Sequence, residues 1–574
     1  MIGKKRWAAL LSVALTATTL AACSGGNDDN AANTGGSASK GATESAGAVE
    51  SKGAEAGGDG NPFGKFDPQI TMSSVMGTAG WATFPEGETW DNDNRWMKLI
   101  RETLGIQIKW DWLVDSTQYD NKMNVSIASG DIPELMMVSK KQLNQLVDAD
   151  MVEDLTGAFD QYAMPYLKQQ VSEALAPAQQ MATYDGKLMA LPQYGGDPRD
   201  SLVTLYVRSD WLDKLQLQAP KTIDELVQVA DAFVKRDPDG NGKPDTLGLG
   251  ILSATAGGGS MGGFLNGYHA YPDIWVDDGA GKLSYGSTTP EMKSALGRLQ
   301  QMYKDGLIDR EFGTKDYNRL KEDVVSGKLG IFYGTISESA LIAADLIKKD
   351  PNASWIALPL PSIDGTPAKP SVGVSVGGFF VVKKGYEHPE AAVKLMNLFI
   401  QKVYGEDEVG TNGDNKTYAW VDNAKYAMHI LSPVVGYIKD YNYRLVRDAL
   451  AANDPSGLNE SLKATYELVQ STDGSDPEKW QQWWIHQPAV SPFEVRDQYQ
   501  LKQDGVVIDK YFGGSTKTMD EKMSTLVTMQ NETFVKIIMD SAPLDDFDSY
   551  VANWKKLGGD QITQEVNEWY AANR

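Results

Sequence analysis

Residues 237–248 read DPDGNGKPDTLG. Oxygen-bearing side chains recur at alternate positions, Asp237, Asp239, Asn241 and Asp245, and Lys243 can add its backbone carbonyl between them. Gly240 and Gly242 let the chain wrap tightly. Alternate side chains of such a wrap converge on one hard cation, which is the logic of an EF-hand-like calcium loop. Gly248 falls where an EF-hand carries its closing bidentate glutamate, so a further ligand must come from Thr246, from water or from elsewhere. The plain alternative is a surface Asx/Gly turn that holds no metal. A fully coordinated calcium leaves no open position, so its expected role is structural.

A second chemistry is open to the aromatic side chains, with 15 Trp and 24 Tyr available. Flat rings cover the apolar faces of sugars, while Asp, Asn, Gln and Arg hydrogen-bond their polar edges. Trp81 lies in TAGWATF after a first strand, and Tyr194 lies in LPQYGG before a change of unit. Tyr268, Tyr271 and Trp275 cluster in a Gly-rich stretch, Tyr333 ends a strand, and Arg208 follows another. Trp81, Tyr194, Arg208, Tyr268, Trp275 and Tyr333 are therefore the candidate ligand-binding residues. The competing account of each is ordinary packing, or for Arg208-Ser209-Asp210 a helix cap with an ion pair. Trp96 and Trp554, on helical faces, read as core. The patch WQQWWIH at 480–486 either caps a cleft or fills a helical core, and core fits better.

Composition removes other chemistries. Lys plus Arg number 54 and Asp plus Glu 77 in 574 residues, a net charge of −23. That excess disfavours nucleic acid and tilts a glycan ligand toward neutral. Four scattered histidines show no zinc spacing, and the single cysteine, Cys23, excludes an internal disulfide. No G-x-S-x-G, H-E-x-x-H or P-loop occurs. A glycan hydrolase would need two carboxylates at a set separation, and 77 acidic residues always offer a pair, so that count decides nothing.

The N-terminus reads as an address. Lys4, Lys5 and Arg6 precede a short apolar run, and Leu20-Ala21-Ala22-Cys23 closes it. Small residues before a cysteine suit peptidase access and lipid attachment at Cys23. Residues 24–60 carry Gly, Ala or Ser at 23 of 37 positions, with no aromatic. Such a segment cannot bury enough to offset its ordering entropy and reads as a tether of roughly 30–37 Å typical reach.

The elements that must position these residues begin near residue 66. Residues 69–76, 106–113 and 134–139 read as strands, and 91–104 and 141–155 as helices. A second unit opens at 202–215, a strand running into a helix. Thr222-Ile223-Asp224-Glu225 has the capping-box pattern. A helix at 292–304 and strands at 327–333 and 377–383 follow, and much of 388–574 reads as helix. The pattern implies two α/β lobes with helical additions toward the C-terminus.

Several segments in this order resemble a family. They are LAAC at 20–23, NVSIASGDIPELMMV at 124–138, YVRSDWLDKL at 206–215, DPDGNGKPDTLGLG at 237–250, QMYKDGLID at 301–309, SGKLGIF at 326–332 and FDSYVANWKKLGGDQITQEVNEWY at 547–570. The chain resembles the solute-binding lipoproteins of bacterial ABC importers, in particular the long carbohydrate-associated family 1 type of Gram-positive bacteria such as Paenibacillus. The resemblance implies a two-lobe periplasmic-binding-protein-like fold with a hinge, a ligand cleft and extra C-terminal helices. It implies capture of an oligosaccharide or related sugar by lobe closure, recognition of the closed form by the transmembrane subunits of an ABC permease, and no chemistry on the ligand. It also implies a monomer held by a palmitate-type lipid on the outer face of the cell membrane. Ligand sensing through a membrane receptor partner and a secreted hydrolase are the alternatives. Related alginate-oligosaccharide binders carry a comparable calcium loop with a glutamate after the last aspartate, where this chain has Thr246. The expected division is signal peptide 1–22, tether 23–65, N-lobe 66–200, C-lobe 201–335, N-lobe return 336–387 and a mainly helical remainder 388–574, mostly C-lobe.

Overall fold

The computed structural model describes residues 60–573 apart from 79–85, 92, 173–174, 195–201, 374–375, 408–412, 419, 422–423, 426–436 and 501–504. Cys23 and Trp81 lie outside the described residues. In chain order the elements that shape the site are β1 (Ile70–Thr78), α1 (Arg95–Leu104), β2 (Ile106–Asp115), α2 (Ser116–Ser129), β3 (Leu135–Val138) and α3 (Lys140–Asp148). Then come β4 (Leu191–Tyr194), β5 (Thr204–Arg208), α4 (Ser209–Leu215), α5 (Ile223–Lys235), β6 (Ile331–Gly334), α6 (Ile336–Lys349) and β7 (Trp355–Leu358). The set closes with β8 (Val376–Val382), α7 (Glu390–Val403) and α8 (Lys517–Ile538).

The first sheet has the order β2-β1-β3-β8-β4. β1 runs parallel to β2 and β3, whereas β8 is antiparallel to β3 and β4. α1 shows why this unit forms. Asn94 accepts the Met97 N–H as its cap, and Trp96, Met97, Ile100 and Leu104 lie buried on one face. Burial of each such side chain contributes about 1.5–3 kcal/mol. Gly105 ends the helix at φ +65, and a Cβ there would collide with the Phe66 carbonyl, so both backbone and space require glycine. Trp96 stacks on Phe399 of α7 at 5.7 Å. α7 thus packs in the first core, although its position in the chain placed it in the helical remainder.

The second sheet has the order β6-β5-β7, with β5 antiparallel to both neighbours. All five residues of β5 are buried, so both faces of this sheet are covered. Leu205 and Val207 face the second core, which also holds Ile331 and Tyr333 of β6 and, from the C-terminal helices, Phe534, Ile537, Trp554 and Ile562. Tyr206 and Phe332, one residue out of phase, face a third cluster with Trp355, Trp480 and Trp484. The Trp484 indole donates to the Trp355 carbonyl at 3.0 Å, so the 480–486 patch is core. α5 carries the complete Thr222/Glu225 capping box. α6 and β7 pack with β5 and β6, since β7 pairs with β5, and the strand that rejoins the first sheet is β8.

Candidate functional site

Strand direction defines two rims. β1, β2 and β3 end together at Thr78, Asp115 and Val138. β8 begins on that same edge and β4 ends there, with Val376 paired to Tyr194. In the second sheet, Thr204 at the start of β5 pairs with Gly334 at the end of β6, and Leu358 at the end of β7 pairs with Leu205. The chain passes from Tyr194 to Thr204 and returns from Leu358 to Val376, so the two edges are joined in both directions. Carboxyl ends of strands beside such crossings are where α/β proteins hold ligands.

The second rim carries a carboxylate that sequence reading missed. Thr335 caps α6 by accepting the Glu338 N–H, and its hydroxyl donates to Glu338 Oε2 at 3.0 Å. The loop TAGGG at 255–259 lies over it, held by the Gly259 N–H to the Tyr333 carbonyl at 2.8 Å. A Cβ at Gly258 would strike the Glu338 carboxylate. Glycine therefore lets the loop press onto that group. Tyr317 is close enough for the Glu338 charge, with burial as the larger cause, to raise its hydroxyl pKa. The signal was present as a T-x-x-E pattern after GIFYG.

On the first rim, Ser139 and Gln142 form a capping box for α3, and Lys140 follows. Its ammonium donates to the Met181 carbonyl at 2.5 Å and the Tyr184 hydroxyl at 2.8 Å, and lies over the Tyr184 ring at 4.5 Å. Burial brings this amine down to about 8.

The sequence-proposed ligand residues are placed differently from one another. Tyr194 is at the first rim, but its side chain is 1% exposed and its hydroxyl donates to Gln179 at 2.6 Å. Tyr333 adjoins the second rim, yet its ring is buried beneath Gly263 and faces the second core. Arg208 is buried at the far end of β5, bound to Asp210. Trp275 packs on Tyr285 at 5.3 Å, and Tyr268 on Phe264 at 5.6 Å. Arg208, Tyr268, Trp275 and Tyr333 are thus all buried against protein neighbours in this structure, although the Tyr333 hydroxyl has no hydrogen-bond partner among the described residues.

The loop at 237–245 gathers its oxygen atoms. Gly242 N–H donates to Asp237 Oδ2 at 3.0 Å, and Lys243 N–H donates to Asn241 Oδ1 at 2.7 Å. The Asn241 amide donates to Asp239 at 2.5 Å and to Asp245 at 3.0 Å, so its partial positive charge sits between two carboxylates. Asp237 and Asp239 are hydrogen-bonded to each other, which lowers the pKa of Asp237; burial first, then Asp237, raises that of Asp239. Asp237 Oδ1 is buried with no hydrogen-bond partner among the described residues. An unsatisfied carboxylate oxygen beside two more carboxylates fits a hard cation. Among the described residues no group of three His, Cys, Asp or Glu is already arranged as a metal site. Thr246 is buried and donates its hydroxyl to the Phe233 carbonyl at 2.7 Å, so its side chain is turned away to α5.

Residues 93–406 match the model of the family described as bacterial extracellular solute-binding protein. The chain is 24% identical over 493 residues to lipoprotein LipO of Bacillus subtilis strain 168, covering 83% of this chain and 89% of that one. It is 24% identical over 492 residues to the polygalacturonan/rhamnogalacturonan-binding protein YtcQ of the same strain, covering 83% and 88%. Among solved structures it resembles an HMO-binding, ABC-transporter-associated solute-binding protein from Bifidobacterium longum infantis ATCC 15697, at 20% identity and TM-score 0.58, covering 88% of this chain and 98% of that one. It also resembles an EF-hand mutant of the Streptococcus pneumoniae ABC-transporter substrate-binding protein FusA in complex with fructo-nystose, at 17% identity and TM-score 0.51, covering 88% and 100%. These likenesses show a two-body α/β fold of the solute-binding type.

Proposed function

The chain belongs to the bacterial extracellular solute-binding proteins, and on that premise we propose that it captures an oligosaccharide between its two rims and presents it to an ABC import permease. The observation that supports the reading is the joining of two strand-end rims by chain crossings in both directions, with Glu338 and the glycine loop on one and Ser139 and Lys140 on the other. A ligand that contacts both rims favours the closed arrangement, because only there are both sets of contacts made. The division follows the cores: residues up to 194 with 376–403 form the first lobe, and 204–372 with the C-terminal helices form the second. Binding without bond breaking is the proposed activity, in keeping with relatives whose names describe binding.

Cys23 is the proposed lipid site and 23–65 the tether, which would hold the lobes near the outer face of the membrane as in a relative named a lipoprotein. Calcium is the proposed ion of the 237–245 loop, with Asp237, Asp239, Asn241, Asp245 and the Lys243 carbonyl as ligands. Its charge would take the place of the Asn241 amide and satisfy Asp237 Oδ1. The direct test is a thermal-shift screen of the purified chain against neutral and acidic oligosaccharides, with recovery of the ligand afterward. A shift with intact ligand supports capture. Ligand returned as smaller sugars overturns the binding-only reading, and no shift across the panel overturns the sugar.

A further inference from the structure

The first turn of α3 touches residues 513–520 of the second body. Lys140 is pinned to the first body by Met181 and Tyr184, so its aliphatic stem presents a fixed surface. Gly514 of the second body lies against that stem at φ +82, where an added Cβ would fall 2.9 Å from both Cγ and Cε of Lys140. Neighbouring Gly513 is packed on Tyr511 and Trp569, which ties this segment to the second core. The next lysine, Lys141, places Nζ 3.3 Å from Asp520 Oδ2 in the first turn of α8. Asp520 is itself held by the Ser515 hydroxyl at 2.6 Å. A held carboxylate and a close-fitting backbone thus meet a fixed lysine stem and an exposed, ion-paired one.

We infer that the first turn of α3 and residues 513–520 form a latch between the lobes, with Lys141 and Asp520 setting how long a captured solute stays although neither touches it. This rests on the capture reading and deepens it. The ion pair is exposed, 65% on Lys141 and 38% on Asp520, so its share is small and screened by salt. The expected effect of breaking it is a two- to five-fold faster solute release, at roughly the strength of an exposed pair. The glycine contact supplies the rest, because any side chain at 514 meets both a disfavoured φ and the Lys140 stem.

The test uses inter-lobe distance as well as affinity. Labels at Val125→Cys and Leu557→Cys, exposed on the first and second bodies, report separation in a Cys23→Ser background that removes the chain's one cysteine. Lys141→Glu is expected to widen the distance distribution without solute, Asp520→Lys to do the same, and the double reversal to restore it. Gly514→Ala should widen it further, and adding Lys140→Ala should recover part of the change. Distances unmoved by Lys141→Glu, Asp520→Lys and Gly514→Ala alike would overturn the latch, even if solute binding remains intact. Widened and rescued distances support it even if no sugar in the panel binds, which separates its failure from that of the capture reading.

Discussion

Arg208 and Asp210, two residues apart, form a two-point ion pair, Nε to Oδ1 at 2.7 Å and Nη2 to Oδ2 at 2.6 Å. The guanidinium lies over Trp211 at 4.8 Å and Trp355 at 5.9 Å. Asp210 also accepts the Ser354 N–H at 3.2 Å, so the pair fastens the end of β5 to the segment entering β7. This buried, stacked arginine commits Nε and Nη2 to a protein carboxylate. Arg208→Ala should therefore destabilise the fold by about 3 kcal/mol, since it strands a carboxylate and opens space between two tryptophans. Solute affinity, measured well below the melting temperature, should stay within two-fold. A large loss of affinity with unchanged stability would return Arg208 to the ligand site.

Chelation tests the loop at 237–245. If calcium fills it, removal should lower the melting temperature, and at a hundred-fold excess over the dissociation constant the ion contributes about 2.7 kcal/mol. Asp239→Asn separates metal from turn. In calcium-free buffer it removes a charge that burial first, and Asp237 and Asp245 after it, already disfavour, and should stabilise the chain. In calcium it should lose most of the response. A melting temperature that ignores both chelator and calcium would leave only an Asx turn.

The strands of the two sheets other than β4 and β7 were legible because apolar runs such as LYV at 205–207 and GGFFVV at 377–382 carry their burial in composition. What they pair with was not legible. Residues 336–358 join the second sheet because β7 pairs with β5, a contact some 150 residues apart that local pattern cannot encode. The burial of Tyr333 was not legible for a related reason. Tyr333 sits on a strand whose two faces are covered, and those covers come from helices near 480–495 and 526–566. A ring on a strand is equally suited to core or cleft until those helices are placed. Glu338 was readable as a cap and unreadable as a rim group, because the glycine loop that presents it arrives from 255–259.

Asp509 gives a pH signature. It accepts the Trp275 N–H at 3.1 Å and the Tyr511 N–H at 3.0 Å, yet burial outweighs these bonds and brings its pKa up to about 6. Between about pH 4 and 6 the folded chain then binds more protons at this site than the unfolded chain. Its contribution to stability falls as pH rises through that window, and the penalty is complete above 6. Asp509→Asn keeps an acceptor oxygen without the charge. It should stabilise the chain at pH 7 by at most roughly 3 kcal/mol and the gain should vanish near pH 4. Denaturant melts of both proteins across pH 4–7 measure the difference directly, and a difference independent of pH would show that Asp509 titrates normally.

Glu338 is the sharpest point at which to test the site. Its carboxylate is fixed by the Thr335 hydroxyl and by the glycine loop above it, while the neighbouring Ser337 is exposed. A fixed, half-buried carboxylate at a rim accepts hydrogen bonds from sugar hydroxyls with little entropy left to lose. Glu338→Gln preserves shape and the bond from Thr335 but removes the charge. A hydrogen bond to a charged group is worth about 1.5–3 kcal/mol, so affinity for the oligosaccharide should fall ten-fold or more while stability changes by less than about 0.5 kcal/mol. Titration calorimetry with the panel's best ligand reads the first quantity and denaturant melts the second. If affinity holds within two-fold, the second rim grips its solute elsewhere; if stability collapses instead, the carboxylate serves the loop and not the ligand.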